Sequence, residues 1–98
     1  MKREVYRNEK GQLHRIDGPA IINGDRQEWW VEGKLHRVDG PAYIDGNWQA
    51  WFMNAKLHHL YGPAYINGNY KAWYINGRII NQHEYIHEEI KEYNHYVI

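Results

Sequence analysis

The chain has no cysteine, one phenylalanine and three prolines among its 98 residues, and its 12 Lys plus Arg are matched by 12 Asp plus Glu. Without cysteine there is no disulfide framework and no thiolate chemistry, which suits a reducing compartment. Without net charge there is no global field to draw in nucleic acid or an anionic membrane. No apolar run approaches the roughly 20 residues that cross a bilayer. The opening Met1-Lys2-Arg3-Glu4-Val5-Tyr6 has no apolar signal-peptide core. Also lacking are a Gly-rich phosphate loop, a G-x-S-x-G turn and a plausible pair of catalytic acids. The expectation is one non-enzymatic, cytoplasmic domain.

Nine tyrosines and five tryptophans stand in place of phenylalanine. Aromatics with a polar handle suit half-exposed positions on a sheet face or an interface. The balanced charge is uneven along the chain. Residues 81–98 carry four acids (Glu84, Glu88, Glu89, Glu92) against Lys91, a net −3, so residues 1–80 carry +3.

The dominant positive feature is a repeat with a period of 22 residues. Gly11-Gln12-Leu13-His14-Arg15-Ile16-Asp17-Gly18-Pro19-Ala20 returns as Gly33-Lys34-Leu35-His36-Arg37-Val38-Asp39-Gly40-Pro41-Ala42. It returns again, altered, as Ala55-Lys56-Leu57-His58-His59-Leu60-Tyr61-Gly62-Pro63-Ala64. Such a unit buries its apolar face only by stacking on its neighbours, so the pattern describes an extended surface more than a pocket.

Each unit reads as two strands and two turns. Asn23-Gly24, Asp45-Gly46 and Asn67-Gly68 between β-prone runs predict type I′ hairpins. Glu32-Gly33, Asn54-Ala55 and Asn76-Gly77 mark the second turn, where Ala55 replaces glycine and predicts strain. Gly-Pro interrupts the following segment and predicts a kink, because proline cannot donate to a ladder. Asp17 and Asp39 are expected to accept backbone N–H groups there, or to pair with Arg15 and Arg37. Alternation puts Trp29, Trp51 and Trp73 on one face with Val31, Met53 and Ile75. Trp30, Phe52 and Tyr74 share the other with Arg26, Trp48 and Tyr70.

After Ile80 the period changes. Asn81 and Glu84 form a capping box, and Ile86, Ile90, Tyr93 and Val97 follow at helical spacing, predicting a helix from about Gln82 to Tyr93. The expected fold is mainly β: an antiparallel meander of 22-residue repeats with about seven strands over residues 1–80. Residues 81–98 add one C-terminal α-helix packed on the sheet, within the same single domain. A short helix spans about 18 Å and cannot cover a sheet more than about 30 Å wide. The uncovered apolar surface calls for twist, a second copy or a partner.

Three constellations bear on chemistry. His83-Glu84-Tyr85-Ile86-His87 fits the zinc motif H-E-x-x-H, so a zinc hydrolase using His83 and His87 as ligands is one alternative. No third ligand is evident, and Glu84 already serves the capping box. His14, His36 and His58 share one repeat position, but equivalent side chains two strands apart stand roughly 9–10 Å from each other. Zinc–nitrogen bonds of about 2.1 Å do not bridge that, so the structural reading is a histidine ladder bonding to turn carbonyls or aspartates. The aromatic rows could stack sugars or single-stranded bases, the other alternative. Glu28, Gln49, Ala50 and Ala72 lie where a basic groove would be required, which disfavours nucleic acid.

The segment Trp30-Val31-Glu32-Gly33-Lys34-Leu35-His36-Arg37-Val38-Asp39-Gly40-Pro41-Ala42 resembles the tandem W-Y-x-x-G-K-L-H-R-x-D-G-P-A repeats of small proteins common in bacteriophages and large viruses. These are similar to MORN repeats, although the second glycine falls one residue later here and is followed by proline. The resemblance covers about Tyr6 to Gly77. It implies a single-layer meander devoted to protein interaction or dimerisation, with no cofactor and no catalytic residue. A phage origin would make the natural partner a host protein in the host cytoplasm, with inhibition of antiviral defence as one version. A membrane role fits poorly with the acidic tail. The expected function is protein binding, with a homodimer as a further possibility, through Trp30, Tyr43, Trp48, Phe52, Tyr65, Tyr70 and Tyr74.

Overall fold

The computed structural model describes residues 2–81, which form a meander of short antiparallel strands. These are β1 (Arg3–Val5), β2 (Ile21–Asn23), β3 (Arg26–Glu28), β4 (Trp30–Val31), β5 (Lys34–Leu35) and β6 (Tyr43–Asp45). They continue as β7 (Trp48–Ala50), β8 (Phe52–Met53), β9 (Lys56–Leu57), β10 (Tyr65–Asn67), β11 (Tyr70–Ile75) and β12 (Arg78–Ile80). The eight-stranded main sheet runs β1-β2-β3-β6-β7-β10-β11-β12, while β4-β5 and β8-β9 are separate two-stranded ribbons. The described residues contain no helix, and the helix expected from Gln82 to Tyr93 lies outside them.

The extra strands arise because the long strand of the first two units is broken. In the first two units it divides at Trp29 and at Trp51. The backbone there stays bonded on both sides: the Trp29 N–H donates to the Ala42 carbonyl at 2.7 Å and its carbonyl accepts from His36 N–H at 3.1 Å. Trp51 repeats this with Ala64 at 2.7 Å and His58 at 3.0 Å. In the third unit β11 runs unbroken through Trp73 and pairs with both β10 and β12. The face alternation read from the sequence therefore holds as continuous strand geometry in β11. In the first two units the chain instead leaves the main sheet and enters a ribbon.

Successive ribbons form a second ladder. Gly33, Ala55 and Gly77 donate to the carbonyls of Leu13, Leu35 and Leu57 at 2.9, 2.8 and 2.7 Å, and Arg15 and Arg37 donate to Trp30 and Phe52 at 3.0 and 3.1 Å. Each unit is thus zipped to the next along two lines. That is how a repeat too small to fold alone gains stability from its neighbours.

The two turns of a unit differ in kind. The ladder registers Asn23↔Arg26, Asp45↔Trp48 and Asn67↔Tyr70 place Gly24, Gly46 and Gly68 at the first central position. Only that position has positive φ, 62–64°. These are type II′ turns, not the type I′ turns expected from the Asn-Gly and Asp-Gly pairs, because the Asn or Asp remains in the strand. The type I′ geometry belongs to the ribbon turns, where both central residues have positive φ: Glu32 and Gly33, Asn54 and Ala55, Asn76 and Gly77.

Ala55 occupies this left-handed position at φ 68°. An L-residue there costs roughly 1–2 kcal/mol, and a glycine adds about 0.4–1 kcal/mol of chain entropy to the unfolded state. Ala55→Gly is expected to stabilise the protein by about 0.5–1 kcal/mol. A rise in the urea midpoint at unchanged slope is the readout. A fall would show that the methyl group contributes packing that outweighs the strain.

Burial is limited. Ala20, Ile21, Ala42, Ala50, Ala64, Ala72, Ile75 and Ile80 are the buried apolar residues, and no large side chain among the described residues is fully enclosed. Five of the eight are alanines at repeat-related positions.

Candidate functional site

The kinks are built from an aromatic ring, a cation and a glycine. Arg37 lies 3.8 Å above the Trp29 ring, and Arg15 lies 4.1 Å above Tyr6. The Arg37 Nε donates to the Asp39 carboxylate at 3.1 Å and its Nη1 to the Pro41 carbonyl at 3.0 Å. Arg15 repeats this with Asp17 at 3.0 Å and Pro19 at 3.2 Å. The aspartates therefore bind arginine, the second of the two expected arrangements, and a backbone hydrogen bond at Asp17 adds to it. The Arg15 hydrogen bond, followed by its charge, holds the Asp17 carboxyl below its usual range. The glycine before each proline makes room for the guanidinium: a Cβ on Gly40 would stand 2.7 Å from the Arg37 Cζ, and one on Gly18 would stand 3.0 Å from the Arg15 Cζ.

The histidine ladder has a different chemistry from the one expected. His14 Nδ1 accepts from the Glu32 N–H at 2.9 Å, His36 Nδ1 from Asn54 at 3.0 Å and His58 Nδ1 from Asn76 at 3.0 Å. Each ring bonds a turn N–H of the following unit, not a carbonyl or an aspartate. A backbone N–H only donates, so each Nδ1 carries a lone pair. The bonded residue is in every case the first left-handed residue of a ribbon turn. Among the described residues no group of three or more His, Cys, Asp or Glu is placed to hold a metal. His83, Glu84 and His87 lie outside the described residues.

The sheet brings four of the seven proposed contact aromatics into one row. Tyr43 and Trp48 have ring centroids 5.0 Å apart, Trp48 and Tyr65 6.0 Å, and Tyr65 and Tyr70 5.9 Å. The register explains it. Tyr43, Ala50, Tyr65 and Ala72 face one another across β6, β7, β10 and β11, and Asp45, Trp48, Asn67 and Tyr70 form the adjacent line. The alanines leave the space the rings fill. Trp48 and Tyr70 are exposed, and Tyr43 and Tyr65 are half-buried. Burial first, then the charges of Asp45 and Glu28, raise the Tyr43 hydroxyl above its ordinary value and keep it neutral and able to donate.

The other three aromatics sit elsewhere. Trp30 donates its indole N–H to Glu28 at 2.8 Å, and Glu28 lies 3.2 Å from the Arg26 Nε without hydrogen-bond geometry. The first unit thus carries Ile21, Arg26 and Glu28 where the later units carry Tyr, an aromatic and Ala, and the ring row stops there. Phe52 and Tyr74 are half-buried and outside the row.

Reading by residue type missed the ring–cation kinks, although each shows in the sequence as an aromatic eight or nine residues before the cation. It also missed Ile16 and Val38, which stand 79% and 77% exposed at the kink tips. Among the described residues no helix is long and apolar enough to cross a membrane. Fold and site together define a β-meander repeat protein with an aromatic row on one face. Comparison with protein-family models, with curated proteins and with solved structures found no match to this chain.

Proposed function

We propose that the chain is a non-enzymatic protein-binding module whose contact surface is the row Tyr43–Trp48–Tyr65–Tyr70. The observation that carries this reading is the row itself: four rings in unbroken contact, two of them exposed, on a sheet that encloses no large side chain. Interface anchors are enriched in Tyr and Trp held against small neighbours. The interplanar angles of 56°, 64° and 74° turn edges as well as faces outward. Sugars and stacked bases call for parallel faces, so this geometry favours a protein partner. On the MORN-like resemblance and a phage origin, that partner is a cytoplasmic host factor which the protein modulates or inhibits. Self-association of the same row into a homodimer is the second reading, favoured because no large side chain among the described residues is fully buried.

The test is capture of a partner from host lysate, its purification, and titration against the wild type and Trp48→Ala. Trp48→Ala is expected to weaken binding by at least about tenfold, since truncating a central aromatic costs about 2 kcal/mol or more. The urea midpoint should fall by less than the binding loss, since Trp48 is partly exposed and gives up only its ring contacts with Tyr43 and Tyr65. Unchanged affinity for the purified partner would remove the row from the interface. A concentration-dependent dimer that Trp48→Ala dissociates would select the second reading.

A further inference from the structure

The pair Asn-Gly occurs three times, at Asn23-Gly24, Asn67-Gly68 and Asn76-Gly77, and all three asparagines are exposed. In such a pair the glycine nitrogen can approach the asparagine side-chain carbonyl, because the residue that carries it has no Cβ in the way. The chemistry then depends on whether the glycine N–H is available. The three pairs differ on that point. Gly77 donates to the Leu57 carbonyl at 2.7 Å, within the ladder between ribbons, and Gly68 donates to the Asn47 carbonyl at 3.2 Å. Asn76 is held further by its own N–H bond to His58 Nδ1 at 3.0 Å. Gly24 donates to no acceptor among the described residues.

The neighbours of Asn23 also set it apart. Cross-strand register places it between Arg3 on β1 and Arg26 on β3, and Arg26 in turn faces Asp45 on β6. Residues paired in this way share a face, with Cβ atoms about 4.5–5.5 Å apart. Asp45 holds the same place in the second unit that Asn23 holds in the first. A carboxylate at position 23 would therefore complete a line of alternating charge across four strands. The Arg26 Nε is buried without a hydrogen-bond partner, so that line has an unmet donor. Asn67, by contrast, is flanked by Trp48 and Tyr70.

We propose that Asn23-Gly24 is a site of spontaneous modification, at which water alone converts the asparagine amide to a carboxylate. The Gly24 nitrogen gives up its proton to solvent base and attacks the Asn23 Cγ. The new N–Cγ bond closes a succinimide ring, and the Cγ–Nδ2 bond breaks to release ammonia, which takes up a proton. Water then opens the ring, and nothing is oxidised or reduced. Cleavage at Cγ leaves an aspartate in the normal chain, between the two guanidinium groups. Cleavage at the former backbone carbonyl leaves an isoaspartate, whose main chain runs through Cγ and is longer by a methylene. That methylene lies within β2 and shifts its register against β1 and β3. The site belongs to the first unit and lies off the row Tyr43–Trp48–Tyr65–Tyr70, so it stands apart from the function proposed above.

Peptide mapping by mass spectrometry reads all three pairs at once in the full-length protein, sampled over time in warm, mildly alkaline buffer. Conversion at Asn23 is expected to run at least about fivefold faster than at Asn76, the factor that breaking one hydrogen bond imposes on Gly77. In guanidinium chloride the three rates should draw together, because the dipeptides are the same. Equal rates in the folded protein, fastest conversion at Asn76, or an order that unfolding leaves unchanged overturns the proposal. So does a folded protein in which Asn23 persists while the unfolded chain converts. Asn23→Asp, made separately, should raise the urea midpoint at low salt and lose the gain at high salt, as exposed charges do. A midpoint at or below that of the wild type overturns the line of alternating charge.

Discussion

Replacing His14, His36 and His58 together by alanine is expected to cost about 3 kcal/mol of stability. Each ring supplies one acceptor to a left-handed turn residue of the next unit. One such bond is worth about 1 kcal/mol net, and in a repeat array the coupling terms between neighbours add.

Asp17, whose carboxyl is held low by Arg15, contributes above the carboxylate range and loses that contribution as pH falls through its lowered value, so the comparison belongs at neutral pH. Urea midpoints of the wild type and the triple variant make it. The triple variant should unfold at lower urea with an unchanged slope. Equal midpoints would sink the staple.

Ala42→Leu is expected to destabilise the protein by about 1–3 kcal/mol, the range for forcing a larger side chain into a filled site. Ala42 has no exposed surface, and neither do Ala20 and Ala64 at the same place in their units. Its N–H donates to the Ala50 carbonyl at 2.9 Å and its carbonyl accepts from Trp29 at 2.7 Å, so the backbone cannot retreat without breaking the junction where the strand divides. Val38→Leu, four residues earlier but exposed, serves as the control and should stay within about 0.5 kcal/mol of wild type. Equal midpoints for the two variants would show that the site around Ala42 has room to spare.

Much of the architecture was legible because the period of 22 names its own turns. Gly24, Gly46 and Gly68 marked the sheet hairpins, and the Gly-Pro kinks and the strain at Ala55 could be read from residue type alone. Turn type could not, because an Asn-Gly pair suits either turn and only the ladder register decides whether Asn23 lies in the turn or ends the strand. The division at Trp29 and Trp51 was hidden for a related reason. Trp73 occupies the equivalent position and continues its strand, and unlike Trp29 and Trp51 it is followed by no Gly-Pro kink.

The site was legible as a composition and illegible as an arrangement. Tyr43, Trp48, Tyr65 and Tyr70 were singled out as ring-bearing positions at repeat spacing, together with Trp30, Phe52 and Tyr74. Which of them touch depends on cross-strand register. Tyr43 and Tyr65 meet Trp48 because Ala50 is their common neighbour, whereas Glu28 stands where an alanine would have carried the row into the first unit. The sequence by itself determined the repeat, its turn positions and its kinks, since each follows from local backbone chemistry. Only the tertiary structure decided that the histidines staple one unit to the next and that four rings form one row. Those contacts join residues in neighbouring units, and stacking, not local preference, brings such residues together.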